Sequence, residues 1–161
     1  MKIILFLKRA LNVLLFSFLA VSATAADNPY NEAADAKLEI DQALTQSAAT
    51  MTPIILVFGA NWCGDCKMLD AAMKNGASAS LLSRDFKIVK VNVGHFDKNL
   101  DLAKSYEVPL SKGIPAVVVI SSKKDVLYAT REGELANARQ MGDNGIYEFF
   151  KRVAASTKAI K

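Results

Sequence analysis

The sequence predicts an α/β fold in which a mixed sheet of about four to five strands lies between layers of helices. Apolar, β-branched runs alternate along the chain with segments whose apolar residues recur at helical spacing. The earlier strands are separated by helices, an arrangement typical of parallel crossover connections, whereas the last two are joined by a short polar turn typical of an antiparallel hairpin. The combination of these two connection types indicates a mixed sheet flanked by helices.

Residues 1–25 are predicted to be a secretory signal peptide, and residues 26–161 a single folded domain. The first nine residues hold three basic side chains and no acidic one, the next twelve are largely apolar, and an Ala-x-Ala cleavage site ends at Ala25. An uncleaved membrane anchor is the alternative, but roughly 12 apolar residues fall short of the ~20 that a spanning helix needs. Cleavage after Ala25 would export the domain to an oxidising compartment.

Export also changes the charge of the chain. The whole sequence has a net charge of +4, but the leader carries three of its 20 Lys and Arg residues, so the remaining domain has a net charge of +1. A domain so close to neutral has no basic excess with which to attract nucleic acid or an anionic membrane surface.

The first half of the domain contains a helix, a strand and two further helical segments. Ile40 and Leu44 belong to one apolar stripe of the first helix, and Gly76 is a stop signal after the second. The predicted elements are a helix at Asn31–Ala49, a strand at Pro53–Phe58, a helix that begins at the cysteine pair and ends at Asn75, and a helix at Ser78–Arg84.

The second half contains three strands and two helices. Pro109 follows the fourth helix and marks its end, and the apolar positions of the last helix recur at helical spacing. The predicted elements are a strand at Phe86–Val93, a helix at Asn99–Tyr106, strands at Gly113–Ile120 and Val126–Arg131, and a helix at Gly145–Lys158.

The two cysteines of the sequence, Cys63 and Cys66, fall where the first strand ends and a helix begins. Residues three apart on a helix share one face with Cβ atoms roughly 5–6 Å apart, close to the separation that a disulfide spans. The positive end of the helix favours a thiolate at Cys63, which we expect to be exposed and to attack a partner disulfide. Cys66, one turn further on, would then resolve the mixed disulfide. The spacing therefore predicts a redox switch.

Trp62 directly before this pair, the strand upstream and Gly113-Ile114-Pro115 downstream resemble the active site of the thioredoxin superfamily, over about residues 37–158. The chain is most similar in kind to exported bacterial thioredoxin-like proteins, which implies a periplasmic location and the thioredoxin fold. The resemblance implies that Ile114–Pro115 is a cis bond that holds the backbone of Ile114 open to an extended substrate beside Cys63. A trans proline that merely starts the strand is the alternative.

Four residues around the cysteines are expected to tune or shield them. Trp62 is interpreted as a shield and docking surface, with an ordinary core position as the alternative. Gly64 and Asp65 separate the cysteines, and a carboxylate at Asp65 would raise the pKa of Cys63 and favour a reductant. A solvated helix acid that only complements the dipole is the other interpretation of Asp65. Lys67 either offsets that charge or belongs to the surface.

Two further positions bear on proton transfer. The buried strand acid that many thioredoxins place beneath the resolving cysteine would align with Val57, which cannot titrate. Proton transfer at Cys66 must then use water or another group. His95 is the only histidine of the sequence, and without a second ligand nearby we interpret it as a loop-packing residue.

The resemblance implies a thiol–disulfide oxidoreductase that reduces disulfides in partner proteins without a cofactor or a metal ion. A separate protein thiol would supply the electrons, and a membrane conduit of the DsbD type is one candidate. Disulfide formation or isomerisation is the alternative within the enzymes. A different class of function, a Cu(I)-binding module, rests on the affinity of soft thiolates for Cu(I).

Overall fold

The computed structural model describes residues 28–158, so the predicted leader and the last three residues lie outside the described part. None of the helices within this range is both long and apolar enough to cross a membrane. The elements in chain order are α1 (Ala36–Thr50), β1 (Ile54–Gly59), α2 (Gly64–Lys74), α3 (Gly76–Asp85), β2 (Lys87–Asn92), α4 (Leu100–Ser105), a 3₁₀ turn (Leu110–Lys112), β3 (Ala116–Ile120), β4 (Val126–Ala129) and α5 (Ala138–Lys158).

The four strands form one mixed sheet in the order β2-β1-β3-β4. β1 pairs parallel with β2 and antiparallel with β3, and β3 and β4 form the antiparallel hairpin. The register places Phe58, near the end of β1, opposite Ala116, the first residue of β3. The chain just before β3 therefore lies beside the chain that follows β1, where the cysteines are.

The sheet separates two cores, because successive side chains of a strand point to opposite faces. Ile54, Leu56 and Phe58 of β1 pack on one face with residues of α1 and α4. Ile55 and Val57 pack on the other face with residues of α2, α3 and α5. All five side chains are fully buried, so helices cover both faces of the central strand. This confirms the predicted fold class.

Several element boundaries differ from the predictions. Helix α1 begins at Ala36 and not at Asn31, because the Asp35 carboxylate accepts hydrogen bonds from the backbone of Lys37 and Leu38 and caps the helix there. The short 3₁₀ turn before β3 was not predicted. Helix α5 begins seven residues before the predicted Gly145 and is interrupted at Gly142, whose φ of 62° favours glycine.

Candidate active site

Cys63 and Cys66 form a disulfide at the amino end of α2, with their Cα atoms 5.2 Å apart. Cys63 is the residue that caps the helix, and its Sγ accepts a hydrogen bond of 3.1 Å from the backbone N–H of Cys66. An N–H at a helix start that already points at the sulfur would also stabilise a thiolate there after reduction. The predicted placement of the pair, between a strand end and a helix start, agrees with this geometry.

The prediction that Cys63 is exposed is wrong. Its exposed fraction is 5%, and that of Cys66 is 0%. The disulfide turns Sγ of Cys63 towards the interior, and the carbonyl oxygen of Ile114 lies 3.6 Å from it on the other side. Cys63 is nevertheless the cysteine with some remaining exposure, and its neighbours Trp62 and Gly64 are both exposed. A visiting thiol therefore approaches the bond from the Cys63 side.

The segment before β3 lies directly over Cys63. The Ile114–Pro115 peptide bond is cis, and both residues are buried. Gly113 precedes them with a φ of 109°, a conformation that only glycine adopts readily, and a Cβ there would lie 2.7 Å from the Cβ of Ala136. The antiparallel pairing of β3 with β1 carries this segment to the disulfide.

Trp62 is half exposed and held by the loop that follows β2. Its Nε1–H donates a hydrogen bond of 2.8 Å to the carbonyl of Gly94. The ring of His95 stacks on the indole at 5.6 Å between centroids, and Phe96 meets it edge-on at 5.9 Å. The prediction that His95 packs within its own loop is not confirmed, because its exposed ring stacks on Trp62, which follows a different strand. Sequence spacing did not reveal this contact, although β1 and β2 are parallel, so the loops after them leave the same edge of the sheet.

Asp65 is not the solvated helix acid that one interpretation of the sequence expected, and its effect on the pKa of Cys63 stays a prediction. Its side chain is 15% exposed and forms an ion pair with Arg139. The backbone N–H and the guanidinium of Arg139 donate to its two oxygens at 3.0 and 3.1 Å. Partial burial raises the pKa of Asp65, but the hydrogen bonds from Arg139 outweigh it and lower the pKa below its usual value. The carboxylate therefore stays ionised, with its charge partly neutralised.

The other two residues expected to tune the site lie at the surface. Gly64 is exposed, and a Cβ there would meet the guanidinium of Arg139 at 3.3 Å. Lys67 is exposed as well. Arg139 lies 74 residues further along the chain than Asp65. It compensates the charge of Asp65, a role that was one of the two alternatives for Lys67.

Two ion pairs to a buried carboxylate join α2 and β2, and sequence reasoning missed them. Asp70 of α2 is 1% exposed and pairs with Lys74 at 2.7 Å and with Lys90 of β2 at 2.8 Å. Burial raises the pKa of Asp70, but the hydrogen bonds from the two lysines lower it below its usual value. The ammonium of Lys90 also lies 5.6 Å from the ring centre of Tyr30. Val57, the aligned position of the missing acid, is fully buried among apolar side chains and is the register partner of Lys90 in the pairing of β1 with β2.

Residues 35–122 match a family described as thioredoxin-like. A solved structure, described as a disulphide isomerase from Xylella fastidiosa Temecula1, is 48% identical, with a TM-score of 0.77 over 80% of this chain and 98% of that one. A thioredoxin of Mycoplasmoides gallisepticum is 32% identical over 55% of this chain and 75% of its own length.

The chloroplastic thioredoxin X of Arabidopsis thaliana is 30% identical over 54% of this chain, but the match spans only 43% of that relative. The match to the family covers more than half of the present chain and includes both cysteines. The chain therefore belongs to the thioredoxin-like family.

Proposed function

We propose that this protein is a thiol–disulfide oxidoreductase of the cell envelope that reduces disulfides in partner proteins. The observation that carries the proposal is the Cys63–Cys66 disulfide at the start of α2, where Cys63 alone keeps some exposure, next to the backbone of Ile114. The 48% identity to a protein described as a disulphide isomerase supports thiol–disulfide chemistry in general.

The reaction begins from the reduced pair. The Cys63 thiolate attacks one sulfur of the partner disulfide and forms a mixed disulfide, and the other partner sulfur leaves as a thiolate. Cys66 then attacks Cys63, which restores the internal disulfide and releases the partner as a dithiol. A separate protein thiol must reduce the pair again, and a membrane conduit of the DsbD type is our candidate for it.

The remaining site residues are proposed to receive the partner. An extended segment would lie against the backbone of Ile114 and Pro115, and the half-exposed Trp62 would contact it beside the sulfur. The direction of electron flow rests on Asp65, whose negative charge disfavours a Cys63 thiolate and so favours a reductant. Because Arg139 compensates part of that charge, this support is smaller than the sequence suggested. The periplasmic location rests on the leader predicted at residues 1–25.

Insulin reduction with dithiothreitol tests the proposal, with Cys63→Ser and Cys66→Ser as a matched pair. We expect both variants to lose turnover, and only Cys66→Ser to accumulate a mixed disulfide with the partner on a non-reducing gel. Turnover by both variants at the wild-type rate would contradict the proposal. If the reduced protein instead binds Cu(I) tightly and shows no turnover, the copper-binding function is favoured.

Isomerisation is the second candidate, favoured by the description of the 48% identical structure. An isomerase needs the attack by Cys63, but it releases its partner with the same number of disulfides, and the Cys63–Cys66 pair stays reduced. Refolding of scrambled ribonuclease by Cys66→Ser separates the two functions. Isomerase activity that survives in this variant, while insulin reduction is lost, would indicate isomerisation.

A further inference from the structure

A tyrosine hydroxyl lies buried next to the sulfur of Cys66, with no hydrogen bond to any residue that the structure describes. Tyr30, in the segment before α1, is 2% exposed. Among residues 28–158, its Oη has no hydrogen-bond partner. A buried O–H group without a partner is uncommon in folded proteins, because it loses its hydrogen bonds to water and gains none in return. Such a group is a candidate donor to an acceptor that forms only during the reaction.

The hydroxyl and the sulfur of Cys66 meet at Gly59, the last residue of β1. A Cβ built at Gly59 would overlap Tyr30 Oη and would lie 2.9 Å from Cys66 Sγ. Both atoms are therefore within 3.0 Å of one point, and their separation is less than about 6 Å. Because glycine has no Cβ, the hydroxyl and the sulfur can both lie against the backbone of Gly59.

Tyr30 is fixed in this place from two directions. The side chain of Asn61, one residue before Trp62, exchanges two hydrogen bonds with the Tyr30 backbone, at 3.0 Å to its N–H and 2.9 Å to its carbonyl. The ammonium of Lys90 lies 5.6 Å from the ring centre, within the range of a cation–π contact. The active-site loop and β2 thus hold the ring beneath the disulfide.

The charged groups around the ring leave the hydroxyl protonated. Burial, and secondarily the charge of Asp70, raises the pKa of Tyr30 far above its usual value. Asp70 itself is ionised and paired with Lys74 and Lys90. The ionised Asp70 has no proton to supply, and its lowered pKa makes it a weak base. The protonated tyrosine therefore acts as a donor of a hydrogen bond.

We propose that Tyr30 donates a hydrogen bond to the Cys66 thiolate when the internal disulfide opens, a role that rests on the proposed function. An attacking thiolate forms a bond to Sγ of Cys63 and is oxidised. The Cys63–Cys66 bond breaks, and its electron pair stays on Sγ of Cys66. The hydroxyl keeps its proton throughout, and water later protonates the thiolate. The same hydrogen bond stabilises the Cys66 thiolate when it attacks in the reverse direction.

A fully buried thiolate needs such a donor, because burial in apolar surroundings disfavours the charged form of a thiol. The exposed fraction of Cys66 is 0%, so water reaches it poorly. The position where many thioredoxins hold an acid is Val57 in this chain. Tyr30 therefore supplies polarity at the resolving cysteine, which the apolar Val57 does not.

Tyr30→Phe tests this role because it removes the hydroxyl and keeps the ring. The Cys66 thiol would be titrated in the reduced protein by NMR of labelled cysteine, and the rate of disulfide reduction by dithiothreitol would be measured. Since a hydrogen bond to a charged group changes an equilibrium by about tenfold or more, we expect the pKa of Cys66 to rise by about one unit and the reduction rate to fall severalfold. Tyr106→Phe, in the same core, is the matched control and should change neither.

The oxidised Tyr30→Phe protein should be at least as stable as wild type to thermal unfolding, because it no longer buries an unsatisfied hydroxyl. If the wild-type disulfide reacts with dithiothreitol and Tyr30→Phe matches wild type in both Cys66 measurements, the inference is wrong and the proposed function is unaffected. If the wild-type disulfide does not react with dithiothreitol at all, the proposed function itself is wrong.

Discussion

Replacing Gly59 by alanine puts a methyl group between the Tyr30 ring and the disulfide. The new Cβ would overlap Tyr30 Oη and stand 2.9 Å from Cys66 Sγ, whereas non-bonded atoms normally approach to about 3.5–4.0 Å. Neither neighbour can move into solvent, because Tyr30 is 2% exposed and Cys66 0%. We therefore expect the oxidised Gly59→Ala protein to lose about 1–3 kcal/mol of unfolding free energy, the usual cost of overpacking a core.

Urea unfolding of the oxidised protein measures this loss, with Tyr30→Phe and the double variant completing a cycle. Tyr30→Phe removes the oxygen atom that lies nearest the new methyl group. The double variant should therefore be more stable, by about 0.5 kcal/mol or more, than the sum of the two single effects predicts. Gly64→Ala is the control, because its Cβ would meet the exposed guanidinium of Arg139 at 3.3 Å, and that group can shift. If Gly59→Ala is as stable as Gly64→Ala, or the two changes add, the arrangement of hydroxyl and sulfur is wrong.

Three further changes test other parts of the site and the fold. Arg139→Ala leaves the Asp65 carboxylate without its partner, so the pKa of the Cys63 thiol should rise by roughly half a unit to one unit, measured as the pH dependence of alkylation by iodoacetamide. If the indole serves docking and not the exchange itself, as we propose, Trp62→Ala should slow insulin reduction severalfold while leaving reduction of the internal disulfide by dithiothreitol unchanged. Hydrogen bonds from Arg84, together with Lys158 and against partial burial, lower the pKa of Asp85 from 3.8 to about 2. The ionised Asp85 therefore stabilises the fold fully above about pH 4, and this stabilisation is lost as the pH falls towards 2. Between about pH 4 and 2, the unfolding free energy of Asp85→Asn should fall by about 1 kcal/mol less than that of wild type. This figure is reduced because both basic partners are exposed to solvent.

Each of these expectations has a result that would contradict it. Adding Asp65→Asn to Arg139→Ala should return the pKa of Cys63 to or below the wild-type value. If the pKa stays as high as in Arg139→Ala, Asp65 does not act on the thiol. Trp62→Phe keeps a ring but loses the hydrogen bond to Gly94, and equal loss of dithiothreitol and insulin reactivity would show that the tryptophan acts on the disulfide directly. If Asp85→Asn and wild type have the same acid unfolding curves between pH 4 and 2, protonation of Asp85 does not contribute to acid unfolding.

The fold class and the position of the cysteine pair follow from local patterns in the sequence. The β-branched run before Cys63, the helical spacing after it and Pro115 before the third strand are each signals confined to a few consecutive residues, and the structure agrees with each element that they predicted. The boundaries followed less well. The Asp35 cap makes the first helix begin five residues later than its apolar pattern predicted, and a helical segment before Gly142 extends the last helix beyond its apolar stripe.

The contacts that give the site its chemistry could not be found in the same way. The Asp65–Arg139 pair joins residues 74 apart, and the bonds between Tyr30 and Asn61 join residues 31 apart. No local pattern records either contact. The exposure of Cys63 was predicted wrongly for a related reason, because the residue that covers it, Ile114, is 51 positions away. Parallel pairing of β1 and β2 would have suggested that His95 lies near Trp62, had the order of the strands been known.

The bonds between Asn61 and the backbone of Tyr30 have a practical consequence for any attempt to isolate this domain. The segment that matches the family begins at residue 35, so a fragment designed from that match would start five residues after Tyr30. Such a fragment would retain both cysteines and the strand before them. It would nevertheless lack one aromatic ring of the core and the hydroxyl beside Gly59. Redox measurements on such a fragment would therefore not represent the domain that includes Tyr30.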